Sequence, residues 1–417
     1  MNKATAHSSI KKYLDTYAEP YPAMEDLPRT YDHVLVIPAF AERPESVQRV
    51  WQKIEANFLV ILVINAPRQH DKTLELLAFF KRYYRTVYAG PHWFICEKPD
   101  QPNLLILDHC SPGRYLPEKQ GVGLARKIGA DLALRLIQTG QIKTPRIYCS
   151  DADARLPKTY FSTQSSSSYA STCASKPAGW IYNYRHRLSK NTASRKAMML
   201  YELTLRHYEA GLIWAGSDYG HASLGSLMVI DAHAYAQVRG VPKRSTGEDF
   251  YLLNKLAKVG PLTSLNQITI ELSSRCSTRV PIGTGTGVRG LLACDPSRDQ
   301  IFYNPSLFHS LREALTSMKQ CQSVSELTSA DSRPLIDFLK ISRRLESLEN
   351  IERNSSSQDH FKRALNHWFD GFQQLKYLHF LRDQGAANVT LSTVLSAPWL
   401  DSNVIKTRRR EALLALL

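Results

Sequence analysis

Two aspartates stand one residue apart directly after an apolar run of the chain. Residues 146–149 predict a buried strand, and Asp151 and Asp153 follow it. Two carboxylates that leave a strand end can share one hard divalent cation, because Mg²⁺ and Mn²⁺ prefer oxygen ligands and leave positions open for substrate phosphates. Such a cation would offset the charge that builds up on a diphosphate leaving group. The pair therefore predicts a divalent-cation site, with an ordinary solvated turn as the alternative.

A second group of residues with chemical potential stands further along the chain. Gly225 and Ser226 lie in a Gly- and Ser-rich segment before a predicted strand, a composition that lets the backbone approach a ligand closely. Glu248 and Asp249 precede a predicted helix. Two interpretations stay open for this acidic pair: a general base held at a helix start, or a structural cap in which Thr246 and Asp249 form a capping box.

The charge balance limits the classes of partner. The chain has 417 residues, 43% of them hydrophobic, and a formal net charge of +15. The charge favours anionic substrates or an anionic membrane face; nucleic acid is disfavoured because no binding motif accompanies it. The dense basic run at residues 406–410 is typical of a solvated helix face. No apolar run reaches the length of a membrane span and the N-terminus lacks a signal-peptide core, so we expect a cytoplasmic protein, with peripheral contact at the inner membrane face as a further interpretation.

Apolar runs alternate with helical patterns from residue 32 onward, which predicts an α/β fold with a mostly parallel central sheet and flanking helices. We expect strands at 34–37, 58–64, 104–107, 146–149 and 179–184, and helices at 45–57, 73–84, 121–139, 193–212 and 250–258. Pro38, Asn65, Asp108 and Asp151 follow strand ends, so they should meet at the edge where such sheets bind ligands.

A shift in composition near residue 300 predicts three parts of the chain. They are an N-terminal arm at 1–30, a catalytic α/β domain at 31–300 and a helical C-terminal region at 301–417. The last region shows amphipathic helical patterns at 333–348 and 360–382.

Taken in order, these motifs resemble nucleotide-sugar glycosyltransferases of the GT-A fold, particularly glycosyltransferase family 2. The resemblance runs from about residue 32 to 290 and departs from the family at Ala41, where Asn is frequent. It implies a nucleoside-diphosphate sugar donor and Mn²⁺ or Mg²⁺ as cofactor. It also implies site roles for nucleotide-side residues (Pro38, Glu42, Asn65, Arg126 and Asp151), metal ligands (Asp151 and Asp153), acceptor-side residues (Gly225 and Ser226) and an acidic base motif (Glu248 and Asp249). A solvated position is the alternative for Arg126 and its neighbour Lys127.

Three further features keep two interpretations each. His221 is either an acceptor-side or metal-binding residue or a partner in a structural hydrogen bond. The segment 273–290, with Arg275 and Arg279 among glycines, predicts a nest for a phosphate or an acidic acceptor, whereas Cys276 within it is better explained as structural. The serine-rich stretch 162–175 predicts a mobile loop that orders when donor and metal bind.

The leading hypothesis is a metal-dependent glycosyltransferase, with hexose transfer the expected class. Asp249 or Glu248 would deprotonate an acceptor hydroxyl, and a single displacement would invert the anomeric centre, with retention left open. The acceptor is unknown, and an anionic one suits the net charge. A nucleotidyltransferase is the first alternative and is disfavoured because no Gly-rich phosphate loop follows the first strand. A non-catalytic basic peripheral scaffold is disfavoured because both acidic motifs are present.

Overall fold

The structure, a computed structural model, describes residues 3–20, 27–162, 176–275, 283–295, 297–329, 332–341 and 343–399. Several sequence predictions concern residues outside these ranges. They are the serine-rich loop beyond Ser162, Cys276, Arg279 and the basic run 406–410.

The chain divides into two compact units. The first comprises Met1–Arg187 and Ser223–Thr286, and the second comprises Leu188–Ala222 and Gly287–Leu417. This division differs from the predicted parts in two respects: the N-terminal helix α1 (Lys3–Thr16) groups with the sheet, and α5 (Thr192–Trp214) groups with the C-terminal helices.

One nine-stranded sheet organises the first unit. Its strands are β1 (His33–Ala39), β2 (Phe58–Asn65), β3 (Arg85–Ala89), β4 (Trp93–Glu97), β5 (Asn103–His109), β6 (Arg146–Cys149), β7 (Gly179–His186), β8 (Met228–Asp231) and β9 (Leu262–Leu272). They lie in the order β3-β4-β5-β2-β1-β6-β8-β7-β9. Their pairings make β4 and β8 run opposite to the other described strands. The prediction of an α/β fold with a mostly parallel sheet is confirmed.

The central strands are buried along their whole length, as expected of a parallel sheet covered on both faces. Besides α1, the helices of this unit are α2 (Pro44–Trp51), α3 (Asp71–Tyr83), α4 (Gly121–Gln138), α6 (Ala232–Gln237) and α7 (Glu248–Leu256). Helix α4 packs on β1 and β2, and twelve of its residues are buried. These residues therefore belong to the core and do not face solvent.

The N-terminal helix is tied to this unit through one buried carboxylate. Asp131 of α4 accepts hydrogen bonds from the hydroxyls of Tyr13 (2.6 Å) and Tyr235 (2.7 Å) and from the ammonium of Lys127 (2.9 Å). Lys127 is therefore buried in an ion pair, and the alternative of a solvated position is wrong for it.

Several element boundaries differ from the predictions. Pro38 lies within β1, paired with Val63 and two residues past the last pair that joins β1 to β6, Val36 with Cys149. Strands β3, β4 and β9 were not predicted, the strand expected without bounds after the Gly- and Ser-rich segment is β8, and the helix expected at 45–57 ends at Trp51. Helix α7 begins at Glu248 rather than at Phe250.

The second unit is helical, which confirms the prediction of a helical C-terminal region. Its helices are α5, α9 (Pro305–Gln320), α10 (Val324–Ser329), α11 (Arg333–Lys340), α12 (Arg344–Arg353), α13 (Gln358–Trp368), α14 (Gly371–Asp383) and α15 (Leu391–Val394), and α8 (Thr284–Gly290) spans the boundary between the units. Each of the two long helices predicted for this region, at 333–348 and 360–382, is interrupted and forms two shorter helices. One breaks before Arg343, whose φ is 57°, and the other at Asp370, whose side chain caps α14. Among the described residues, no helix has the length and apolarity that crossing a bilayer requires.

Candidate active site

The carboxyl ends of the central strands lie side by side, as the sequence predicted. In the register of the sheet Val36 is opposite Cys149 and Ile64 is opposite Asp108. Because β8 runs antiparallel to β6, the turn Gly225–Leu227 that leads into β8 lies beside the residues that follow β6. The topology thereby brings Asp151 next to Gly225 and Ser226.

A buried arginine lies beneath Asp151. The Nη2 atom of Arg126 is 2.8 Å from Oδ1 of Asp151, and only 1% of Arg126 is exposed. The hydroxyl of Ser226 donates to Oδ2 of the same carboxylate. Both oxygens of Asp151 are thus oriented by partners, and the predicted alternative of a solvated Arg126 is wrong.

Gly225 is required by this close approach. A β-carbon at this position would lie 2.4 Å from Nη2 of Arg126 and 3.3 Å from Oδ1 of Asp151. The carbonyl of Gly225 also accepts from Nη1 of Arg126 at 3.4 Å. Any larger residue would displace the arginine, which is a steric reason for glycine here.

The same guanidinium contacts the start of α7. Nε and Nη2 of Arg126 each lie 3.3 Å from Oε1 of Glu248, which is 4% exposed. Gly123 makes this possible: its N–H donates to the carbonyl of Arg244 at 2.9 Å, in the loop before α7, and a β-carbon there would lie 2.5 Å from that oxygen. Arg126 therefore joins a carboxylate of the strand end to a carboxylate of the helix start.

In this cluster the opposite charges of neighbouring side chains counteract the effect of burial on their pKa values. Burial opposes the charge of Arg126, but the carboxylates of Asp151 and Glu248 hold its pKa above the usual value. Burial raises the pKa of Glu248, and the nearby guanidinium of Arg126 opposes that rise.

Asp249, the residue after Glu248, also has a raised pKa. Burial first, and the charge of Glu248 second, raise the pKa of Asp249 to about 7. Its Oδ1 accepts the N–H of Phe250 at 2.8 Å. The N-cap of α7 is Gly247, without a side-chain capping bond, so the predicted capping box of Thr246 and Asp249 is wrong.

Asp153 lies among arginines. Arg275 forms a two-pronged pair with Glu42 at 2.7 and 3.1 Å, and its Nη2 is 3.5 Å from Oδ2 of Asp153. Arg187 donates to the backbone carbonyl of Asp153 at 3.1 Å. Glu42, expected on the nucleotide side, is thus the carboxylate that orients Arg275.

The two aspartates fit a divalent cation of the Mg²⁺ or Mn²⁺ kind. Their side chains are 42% and 28% exposed, so oxygen lone pairs remain accessible beside the existing contacts. The described residues contain no group of three or more His, Cys, Asp or Glu side chains placed to hold a metal. Mg²⁺ is commonly bound through one or two protein carboxylates, with substrate phosphates and water as its other ligands.

Other predicted site residues lie in different surroundings. The buried Asn65 donates its amide to the carbonyls of Ala39 (3.3 Å) and Val63 (3.2 Å), contacts that join two strand ends. His221 belongs to the second compact unit, where burial lowers its pKa to about 4 and keeps the imidazole neutral at neutral pH. Asp108 accepts from Ser111 and from Arg114, at 2.8 Å for the arginine.

Sequence reasoning missed Arg155 and Arg187. Arg155 follows β6 and Arg187 follows β7, at the same edge of the sheet. This position after a strand end could have identified both residues from the sequence. Strand β7 was expected to end at Tyr184, so Arg187 was not recognised as a strand-end residue.

No protein-family model and no curated protein sequence matches the chain. Among solved structures it is similar to residues 1–349 of S. aureus TarS in complex with UDP-GlcNAc, at 12% identity and a TM-score of 0.36, covering 85% of this chain and 92% of that one. It is also similar to the mannosyltransferase PcManGT from Pyrobaculum calidifontis in complex with GDP-Man and Mn²⁺, at 15% identity and a TM-score of 0.38, covering 92% of this chain and 95% of that one. Both TM-scores lie below 0.5, so these similarities do not establish a function.

Proposed function

We propose that this protein is a glycosyltransferase that moves a sugar from a nucleoside-diphosphate sugar to an acceptor hydroxyl. One observation carries the proposal: the guanidinium of Arg126 contacts both Asp151, after β6, and Glu248, at the start of α7. A carboxylate suited to hold a diphosphate-bound cation and the helix start that carries the acidic pair Glu248 and Asp249 are thereby linked at one edge of the sheet.

Asp151 and Asp153 would hold Mn²⁺ or Mg²⁺, and that cation would supply positive charge to the departing diphosphate. Arg126 and Ser226 keep the Asp151 carboxylate in one orientation. Precise orientation matters, because a catalytic group that must be reoriented loses much of its advantage.

Asp249 would accept the proton of the acceptor hydroxyl. The hydroxyl oxygen then forms a bond to the anomeric carbon while the bond from that carbon to the diphosphate breaks, and the configuration inverts. A pKa of about 7 for Asp249 suits this role, because a general base is most effective when its pKa lies near the working pH.

The test is a thermal-shift screen of UDP-sugars, GDP-sugars and nucleoside triphosphates against the wild-type chain and Asp153→Ala, with and without Mn²⁺. We expect one donor to stabilise the wild type in a Mn²⁺-dependent manner, by about 2.7 kcal/mol at a hundredfold excess over its dissociation constant. The variant should lose this dependence. Stabilisation by nucleoside triphosphates alone would favour a nucleotidyltransferase, and no response to any nucleotide would refute both.

A further inference from the structure

Three arginines lie at the edge of the sheet that carries the aspartates. Arg155, Arg187 and Arg275 follow the carboxyl ends of β6, β7 and β9. These strands run parallel to one another, since β6 and β7 both pair antiparallel with β8, and β7 pairs parallel with β9. The fold therefore places the three residues together at the ligand-binding edge.

The guanidinium of Arg187 contacts two backbone carbonyls, and one of them also accepts from the backbone of Arg155. Arg187 donates through Nη2 to the carbonyl of Asp153 at 3.1 Å and through Nη1 to that of Glu271 at 3.5 Å. The backbone N–H of Arg155 donates to the same Glu271 carbonyl at 2.8 Å. Arg187 is half-buried, and these two hydrogen bonds hold its guanidinium in place.

Carboxylates neutralise only part of the charge. Glu42 pairs with Arg275, and Glu271 pairs with the exposed Arg185. Within the described ranges, neither Arg155 nor Arg187 forms an ion pair. Burial first, and the charge of Arg155 next, lower the pKa of Arg187 below its usual value.

Within the described residues the guanidinium of Arg155 forms no hydrogen bond or ion pair, and that of Arg187 binds only backbone carbonyls, so both are suited to an anion. A guanidinium has five N–H donors in a planar fork that matches the oxygens of a phosphate, and the two carbonyls use only part of this capacity. A divalent cation on Asp151 and Asp153 would offset the nearest negative charge and strengthen the field further.

We propose that Arg155 and Arg187, with Arg275 beside them, form a subsite for a phosphate group next to Asp153. This inference rests on the proposed function, because the phosphate would belong to one of the two substrates of the transfer. It is either the diphosphate of the donor or a phosphate on an anionic acceptor.

The test measures affinities by calorimetry at constant ionic strength for wild type, Arg155→Gln and Arg187→Gln. The probes are UDP and GDP with Mn²⁺, the nucleosides uridine and guanosine, and inorganic phosphate added to protein saturated with the better nucleotide. Arg146→Gln is the matched control, because it removes the same charge at the opposite end of β6, where Arg146 lies over the ring of Trp180. Arg187 contacts the backbone of Asp153, so weaker binding in Arg187→Gln can also come from a moved Asp153. Arg155→Gln separates the two causes, because among the described residues the Arg155 side chain forms no bond to Asp153.

A donor subsite predicts that both variants bind the nucleoside diphosphate about 10-fold to 100-fold more weakly, with nucleoside binding unchanged. An acceptor subsite predicts the same loss for inorganic phosphate alone. Equal affinities in all four proteins, or an equal loss in Arg146→Gln, would overturn the subsite. Failure of wild type to bind either nucleotide would refute the proposed function, while inorganic phosphate, then titrated into nucleotide-free protein, would still decide the subsite.

Discussion

Replacing Asp249 by Asn should change the pH dependence of stability as well as the rate of transfer. The folded-state pKa of Asp249 is about 7, against a usual value of 3.8. A raised pKa means that the folded protein binds this proton more tightly than the unfolded chain does. The wild type is therefore stabilised at acid pH, and it loses that contribution as the pH rises from about 4 to about 7.

The magnitude follows from the shift in pKa. A difference of about 3 units in a fully desolvated carboxyl corresponds to about 4 kcal/mol. Because Asp249 is only half-buried, we expect solvent to screen this to about 1–2 kcal/mol. Asn keeps an oxygen that can accept the N–H of Phe250 but has no charge to desolvate. The variant should thus match the wild type near pH 4 and be more stable above pH 7.

Urea unfolding of both proteins at pH 4, 6 and 8 measures this difference without any substrate. Asp383→Asn is the control, because it makes the same change at a side chain that is 66% exposed. Once a donor is known, Asp249→Asn should also lower turnover by about 10² to 10⁴-fold while leaving donor affinity unchanged. A stability difference between the two proteins that does not vary with pH would refute the raised pKa of Asp249. Turnover of Asp249→Asn at the wild-type rate would assign the base to Glu248 or to another residue.

Three further changes test other contacts. Asp153→Ala should remove the Mn²⁺ dependence of nucleoside-diphosphate binding with little change in melting temperature, as measured by calorimetry and circular dichroism. Gly225→Ala should lower the free energy of unfolding by about 1–3 kcal/mol in urea, because its β-carbon would lie 2.4 Å from Nη2 of Arg126. Tyr13→Phe should cost about 1–3 kcal/mol in the same assay, because it removes a donor from the buried carboxylate of Asp131.

Controls for these variants are present in the chain. Gly290→Ala introduces a β-carbon with no atom within 4 Å, so it should leave stability nearly unchanged. Tyr17→Phe removes a hydroxyl that forms no hydrogen bond with the described residues, although the ring stacks on Tyr13. A loss in either control equal to that of its partner variant would contradict the packing or hydrogen-bond explanation. Nucleotide binding by Asp153→Ala that still depends on Mn²⁺ would exclude that carboxylate as a metal ligand.

Local sequence determined the central strands and the helices that cover them. Runs such as 58–64 are apolar throughout because β2 is buried on both faces, and burial of that kind is visible in composition alone. Strand β3 was missed because its residues are mostly exposed at the edge of the sheet, where no apolar pattern is required. Strand β8 was expected without bounds, because four residues are too few to establish a period.

The pairs that build the candidate site were decided by tertiary structure. Sequence pointed to Asp151, Arg126 and Glu248 separately, but the spacing of 122 residues between Arg126 and Glu248 carries no sign that they touch. Glu42 and Arg275 are 233 residues apart and likewise meet only in the fold. The physical reason is that a buried charge needs an opposite charge nearby, and the partner is whichever residue the packed helices and strand ends bring there.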